Sequence, residues 1–374
     1  MECPYCKSQD TMTYYHASMP NILAACPKEM HSSVKLLPVE ASLCKNCGLG
    51  FNSIKLSNDD LKFIYDNYCY ISPMHGIGCS KYEGMISTLQ KFCKIKDKIV
   101  EIGCSEGYLL NKLKIAGYQD LTGIEPGPQA VCAEQLGIHV INDYFTENTF
   151  LTNDIDVFFL MHVFEHFEDP FNILDIIVTK LSSSGKIIIE VPNFDGYCHQ
   201  HLFYYNVPFF VRLSKDKKLK IAELLEEKGS LRVVFVRENN MDFNGIACKE
   251  DINNIINKAK GIQFAFQKNI QEIELLLKQN IGKTVYWWGA GSASTILINQ
   301  VNQEVLKKID LIIVDGDANK IGNYIPGVNL KVNSFEIMKN TTSDVLIIAS
   351  ELFEEIKKVM KKNSISAKTI KTVY

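Results

Sequence analysis

Val100-Glu101-Ile102-Gly103-Cys104-Ser105-Glu106-Gly107 decides the fold. A short apolar run, Lys98 to Ile102, ends in a glycine turn, and a helix-like stretch, Tyr108 to Tyr118, begins directly after it. That succession opens a doubly wound α/β domain, whose ligand crevice lies outside the carboxyl ends of the strands. Gly103 and Gly107 let a ligand approach the backbone closely. Ser105 stands where a dinucleotide pyrophosphate turn carries its middle glycine, which argues against that ligand class. Roughly twenty residues further on, Gly123-Ile124-Glu125-Pro126 ends a second strand with a carboxylate, the position at which such folds accept ribose hydroxyls.

Working outward, short β-rich runs (KIVEIG, LTGIEP, IDVFFLM, GKIIIEV and LRVVFV) alternate with helix-like stretches from Lys81 to Arg237, as in a parallel sheet flanked by helices. Asp156 to His166 supplies a fourth strand with a polar cluster, His162, Glu165 and His166, at its carboxyl end. Gly185 to Asn193 supplies the fifth strand and its loop. The order and separation of these pieces closely resemble the class I methyltransferases. The resemblance implies S-adenosylmethionine as cofactor, with Glu101, Gly103, Cys104, Gly107, Glu125, Pro126 and His162 as its contacts. It also makes the Glu165-His166 dipeptide a helix-entry and wall feature.

Toward the N-terminus, Cys3-Pro-Tyr-Cys6 and Cys44-Lys-Asn-Cys47-Gly48 form two CxxC pairs separated by 37 residues. Each pair turns two thiolates toward one ion, and the two together complete a closed four-sulfur shell. Such a shell leaves no open position, so Cys3, Cys6, Cys44 and Cys47 are expected to hold a structural zinc. The isolated cysteines, Cys26, Cys69, Cys79, Cys93, Cys132 and Cys248, are read as core packing. Toward the C-terminus, a helical passage from Asp251 to Lys278 leads into a second α/β alternation: TVYWWGAG, LIIVDGD, VLIIAS and TIKTVY. The expected organisation is a zinc module over 1–65, a Rossmann-like methyltransferase domain over 66–245 and a smaller Rossmann-like α/β domain over 246–374.

After Asn193 comes Tyr197-Cys198-His199-Gln200-His201-Leu-Phe203-Tyr204-Tyr205, in which two histidines follow a crevice-lining loop. A sulfonium methyl donor needs little help with its leaving group, so the chemical difficulty is activating the acceptor. A histidine titrating near neutrality is a suitable base, His201 first and His199 second. With this loop, the four cysteines, Trp288-Gly289-Ala290-Gly291 and the run from Asp315-Gly-Asp317 to Ile325-Pro326-Gly327, the chain resembles the zinc-containing sugar C-methyltransferases that act on nucleotide-linked keto-deoxysugars. The resemblance implies an enolate mechanism, with His201 as base and Tyr68 or Tyr70, in the Tyr68-Cys69-Tyr70-Ile71-Ser72 element, donating to the enolate oxygen. It also implies a nucleotide end lying toward Gly289 and Gly291. The family loop reads Tyr-His-Glu-His; here Cys198 replaces the tyrosine and Gln200 the glutamate. O- or N-methylation of a sugar or other small acceptor is the alternative, since it needs one base and no enolate stabiliser. A non-catalytic binding protein is a third reading.

Bulk properties fit these expectations. The chain has 374 residues, 46% of them hydrophobic and 22% charged, enough for more than one core. A formal charge of −3 supplies no basic footprint, so no nucleic-acid partner is expected. No apolar run reaches bilayer length and MECPYCKSQD does not read as a signal peptide, so a cytoplasmic protein without membrane insertion is expected.

Overall fold

The computed structural model describes residues 1–67, 79–227, 229–240, 243, 245–246, 251–350 and 353–373. Tyr68 and Tyr70, with Cys69, Ser72 and Cys248, lie outside the described residues. In the N-terminal segment, β1 (Thr11–Pro20) and β2 (Leu36–Cys44) form an antiparallel hairpin, β3 (Gly50–Asn52) pairs with β2, and α1 (Asn58–Asp66) follows. Ser57 starts α1 by accepting the Asp60 amide, and Asp59 and Asp60 place negative charge at the positive end of the helix.

The central unit runs α2 (Cys79–Phe92), β4 (Lys98–Ile102), α3 (Tyr108–Ile115), β5 (Asp120–Ile124), α4 (Ala130–Gln135), β6 (His139–Ile141), β7 (Ile155–Met161), α5 (Pro170–Lys180), β8 (Leu181–Pro192), β9 (Phe203–Tyr204), α6 (Val207–Asp216), β10 (Leu219–Glu227) and β11 (Ser230–Arg237). Seven of its strands form one sheet in the order β10-β11-β8-β7-β4-β5-β6. All are parallel except β11, which runs antiparallel to both neighbours. This is the class I arrangement that the sequence resemblance implies. The chain proceeds outward from β4 in one direction and from β7 in the other, so the topological switch point lies between their carboxyl ends. Ile187, Ile188 and Ile189 of β8 are all fully buried, because helices cover both faces. Two strands go beyond the five read in sequence. The short β6 extends one edge, and at the other edge β10 (LKIAELLEE) is held as a strand by its pairing with β11 despite its helix-favouring composition.

The C-terminal unit begins with α7 (Ile252–Gln279), capped by Asp251, and continues through β12 (Thr284–Trp288), α8 (Ser292–Gln300), α9 (Gln303–Leu306), β13 (Asp310–Asp315), β14 (Val332–Ser334), β15 (Thr342–Ile348), α10 (Phe353–Lys362) and β16 (Ser366–Thr372). Its five strands are parallel in the order β14-β13-β12-β15-β16. The N-terminal hairpin touches both α/β units. β3 pairs with β9 of the central unit. On the other side, the Ala25 amide donates to the Ala290 carbonyl, Cys26 bridges Tyr324, and Gln300 Nε2 donates to the Ser18 carbonyl. No helix among the described residues is long and apolar enough to cross a membrane.

Candidate active site and metal centre

The four cysteines converge. One ligand atom from each of Cys3, Cys6, Cys44 and Cys47 lies within 4.8 Å of the others, with Cys3–Cys47 and Cys6–Cys44 sulfur separations of 3.7 and 3.5 Å. A tetrahedral shell with Zn–S bonds of ~2.3 Å has sulfurs about 3.8 Å apart, so this donor set fits zinc. Both knuckles share one geometry. The amide four residues after each first cysteine donates back to that cysteine's carbonyl, Lys7 to Cys3 and Gly48 to Cys44, and both residues are left-handed at φ 59° and 80°. The sequence signals that turn at Gly48; a lysine in the same conformation carries no such signal. The knuckles are packed into the central core. Tyr5 meets Phe171 and Phe209, and Asn206 Nδ2 donates to the Gly48 carbonyl at 2.6 Å while its Oδ1 caps α6. Through β3 and β9 the four-cysteine cluster therefore supports the segment that directly follows His201.

At the switch point the glycine turn is tightly built. Gly103 (φ 77°) and Gly107 (φ 72°) are left-handed, and a Cβ at Gly103 would fall 2.4 Å from Val163 Cγ2. Glu125 holds the turn: its Oε2 accepts the Ser105 amide at 2.9 Å and its Oε1 the Gly127 amide at 2.7 Å. Each carboxylate oxygen keeps a second lone pair for a ribose hydroxyl. Glu101 is buried, with Oε2 lacking a hydrogen bond among the described residues, and burial beside Glu125 pushes its carboxyl well above the ordinary range. A cradle closed to any Cβ and an orphaned buried acceptor fit the methionine end of S-adenosylmethionine. Pro126 is exposed beside the turn. Cys104 is buried, and its sulfur would lie 2.4 Å from a Cβ at Gly123, so its side chain packs beneath the turn.

His162 follows β7, left-handed at φ 55°, with its amide donating to the Glu190 carbonyl. Such a conformation costs a non-glycine residue about 1–3 kcal/mol and persists only where the surroundings impose it. Its ring lies between two carboxylates, Nδ1 at 3.7 Å from Glu165 and Nε2 at 3.5 Å from Glu190. Burial alone would push His162 down, but the two carboxylates outweigh it and hold it up at about 9. Behind it, Arg232 Nε donates to Glu190 Oε2 at 2.6 Å, and both side chains are 2% exposed. Two buried anions are thus matched by two cations. Sequence reading missed this network because Glu190 and Arg232 lie on adjacent strands 42 residues apart and look like ordinary polar positions.

The downstream loop separates its two histidines. His199 is fully buried, and its Nε2 donates to the Pro20 carbonyl at 2.6 Å, fastening the loop to the N-terminal hairpin. His201 is partly open, and its Nδ1 donates to the Gly196 carbonyl at 2.7 Å. Because a carbonyl only accepts, that bond fixes the neutral tautomer and leaves Nε2 as the basic nitrogen. His166 sits edge-on to His201 with ring centroids 5.1 Å apart, and its Nδ1 donates to the Gln200 carbonyl. The Leu202 amide donates to the Glu165 carbonyl, which ties the loop to the turn after β7. Cys198 is buried, its thiol pushed up to about 12 by burial, so it is protonated and inward-facing. Tyr197 stacks on Tyr15 at 4.4 Å within an aromatic cluster with Tyr14 and Tyr204.

The C-terminal unit repeats the turn chemistry of the central one. Asp315, at the end of β13, accepts the Ala290 amide through Oδ2 and the Asp317 amide through Oδ1, as Glu125 does for Ser105 and Gly127.

Comparison with known proteins agrees with this architecture. Residues 80–232 match the family model of a methyltransferase domain, which defines the class of the central unit. Residues 228–373 match the C-methyltransferase C-terminal domain. Together the two matches support an S-adenosylmethionine-dependent methyltransferase, in a domain pairing consistent with the sugar C-methyltransferase family. Curated relatives include the tRNA U34 carboxymethyltransferases of Campylobacter hominis and Helicobacter pylori. Each is 26% identical over 113 residues, covering 26% of this chain and 37% and 41% of the respective relatives. The chain thus spans about two fifths of the length of these relatives. Similar solved structures include a SAM-dependent methyltransferase from Aquifex aeolicus (15% identity, 48% of this chain and 98% of that one, TM-score 0.35). Another is magnesium protoporphyrin IX methyltransferase from Synechocystis with bound SAM (14% identity, 42% and 78% coverage, TM-score 0.35).

Proposed function

We propose that this protein methylates the carbon next to the carbonyl of a nucleotide-linked keto-deoxysugar. The observation that carries the reading is the C-methyltransferase C-terminal domain over residues 228–373, directly after a methyltransferase domain. Bound S-adenosylmethionine supplies the electrophilic methyl group. Glu101, the backbone of Gly103 to Gly107, and Glu125 hold it at the switch point, with His162 in the wall. His201, its Nδ1 proton held on the Gly196 carbonyl, removes the proton from the acceptor carbon through Nε2. His199 is the positioning residue that anchors the loop to Pro20. Tyr68 or Tyr70 is the proposed donor to the enolate oxygen. The net charge of −3 favours a small acceptor over the tRNA of the curated relatives.

Cys198 and Gln200 favour one alternative, O-methylation of a sugar hydroxyl, which needs no enolate stabiliser. Mass spectrometry of matched nucleotide-linked keto and reduced sugars, each incubated with S-adenosylmethionine, separates the two. Methyl gain confined to the keto substrates is expected; gain confined to hydroxyl substrates would replace the reading with O-methylation.

A further inference from the structure

Glu165 is a fully buried carboxyl group beside the proposed base. Its side chain is 1% exposed, and neither carboxylate oxygen has a hydrogen bond among the described residues. An ionised carboxylate in that setting is tolerated only beside positive charge. Three imidazoles surround it. His162 Nδ1 and His166 Nε2 lie 3.7 and 3.8 Å from Oε1, and a ring nitrogen of His201 belongs to the same cluster, within 4.8 Å.

We propose that Glu165 is the positioning residue of the proton-transfer site, setting the basicity of His201 and stabilising the imidazolium that His201 becomes. This rests on the reading of His201 as the base. The balance of buried charge supports it. Arg232 answers Glu190 and His162 answers Glu165, so the buried set is neutral while His201 and His166 are neutral. When the substrate C–H bond breaks, its electron pair stays on the acceptor as the enolate and its proton joins the lone pair on His201 Nε2. A positive charge then appears beside Glu165, which already lies within Coulombic reach. The enolate pair would form the new carbon–carbon bond to the methyl group as that group's bond to the donor sulfonium breaks. The pair of the broken bond leaves on sulfur as S-adenosylhomocysteine, and the proton on His201 leaves to water. No further reactant is required.

The groups facing His201 come from several elements. They are Glu165 and His166 on the turn after β7, His162 at the end of β7, and Cys198 and His199 on its own loop. Tyr65 of α1 and Tyr205, the latter donating to the Phe164 carbonyl, lie on the Glu165 side. Burial pushes His201 down, while Glu165 and the Gly196 carbonyl hold it back up. Gln200 carries no charge and cannot take that part.

The test is an NMR titration of isotopically labelled histidine in the full chain, wild type against Glu165→Gln, with no acceptor present. The His201 midpoint, assigned by its loss in His201→Ala, is expected to fall by about one pH unit or more on removal of the carboxylate. In parallel, kcat should drop while the dissociation constant for S-adenosylhomocysteine holds within a few fold, and Glu165→Asp should recover part of both. An unchanged His201 midpoint in a folded Glu165→Gln overturns the proposal. If the glutamine variant does not fold, the charge-retaining Glu165→Asp decides: an intermediate midpoint supports the proposal and an unchanged one overturns it. A second metal equivalent beyond the cysteine site, lost in these variants, would also overturn it, making Glu165, His166 and His201 metal ligands. Because the titration needs no acceptor, failure of the C-methylation reading leaves its result intact.

Discussion

Gly103→Ala is the sharpest perturbation of the cofactor crevice. At φ 77° an alanine pays the left-handed penalty of about 1–2 kcal/mol. Its Cβ would also sit 2.4 Å from Val163 Cγ2, 3.2 Å from Cγ1 and 3.4 Å from Cβ. Turning the valine to the χ1 rotamer that points its hydrogen at the new Cβ still leaves a branch at the 3.2 Å position and moves a stiff β-branched side chain out of its present well, so relieving the contact adds about 1–3 kcal/mol. Gly117→Ala isolates the first contribution, because Gly117 is also left-handed (φ 97°) but has no atom within 4 Å of its added Cβ. Urea unfolding should therefore find Gly103→Ala less stable than Gly117→Ala by about 1–3 kcal/mol. Calorimetric titration with S-adenosylhomocysteine should find its affinity reduced about tenfold or more, an effect of about 1.4 kcal/mol, with Gly117→Ala unchanged. Equal stability and equal affinity in the two variants would refute the account of the crevice.

Two further outcomes follow from the same structure. Cys47→Ser should reduce zinc, measured by elemental analysis, from one equivalent per chain, and should destabilise the protein by about 4 kcal/mol or more, since a buried metal knuckle is lost with its support of β9; full zinc retention would refute the four-thiolate assignment. His162 gains two carboxylate partners on folding and is held at about 9 against an ordinary 6.5, so its stabilisation is complete below 6.5 and is lost as pH rises through 9. Melting curves should show that decline in the wild type and a flatter profile in His162→Gln, and parallel profiles would contradict the charged network.

What the sequence made legible was local. The glycine turn, the carboxylate ending β5 and the CxxC knuckles are encoded within a few neighbouring residues, and so is the α/β alternation that frames them. What it hid depends on distant partners. Pro20 and His199 are 179 residues apart in sequence, so the difference between a buried anchor and an open base in a His-Gln-His run could not be read from the run itself. The β1–β2 hairpin joins both α/β units through its own backbone, whose carbonyls accept from Gln300 and His199, so the hairpin's side chains carry no pattern of the contact. Glu165 looks like a wall residue in sequence, and only the return of the 198–201 loop across the end of β7 surrounds it with imidazoles.

The central claim is carbon methylation with His201 as base, and solvent deuterium reads it most directly. A nucleotide-linked keto sugar is incubated in deuterated water with S-adenosylhomocysteine in place of the methyl donor, and the acceptor carbon is followed by NMR. Deuterium should enter at that carbon with the wild type and be lost with His201→Ala, which should still bind S-adenosylhomocysteine within a few fold of normal. Exchange that persists undiminished in His201→Ala, or no exchange under conditions in which the wild type methylates that sugar, would contradict the account.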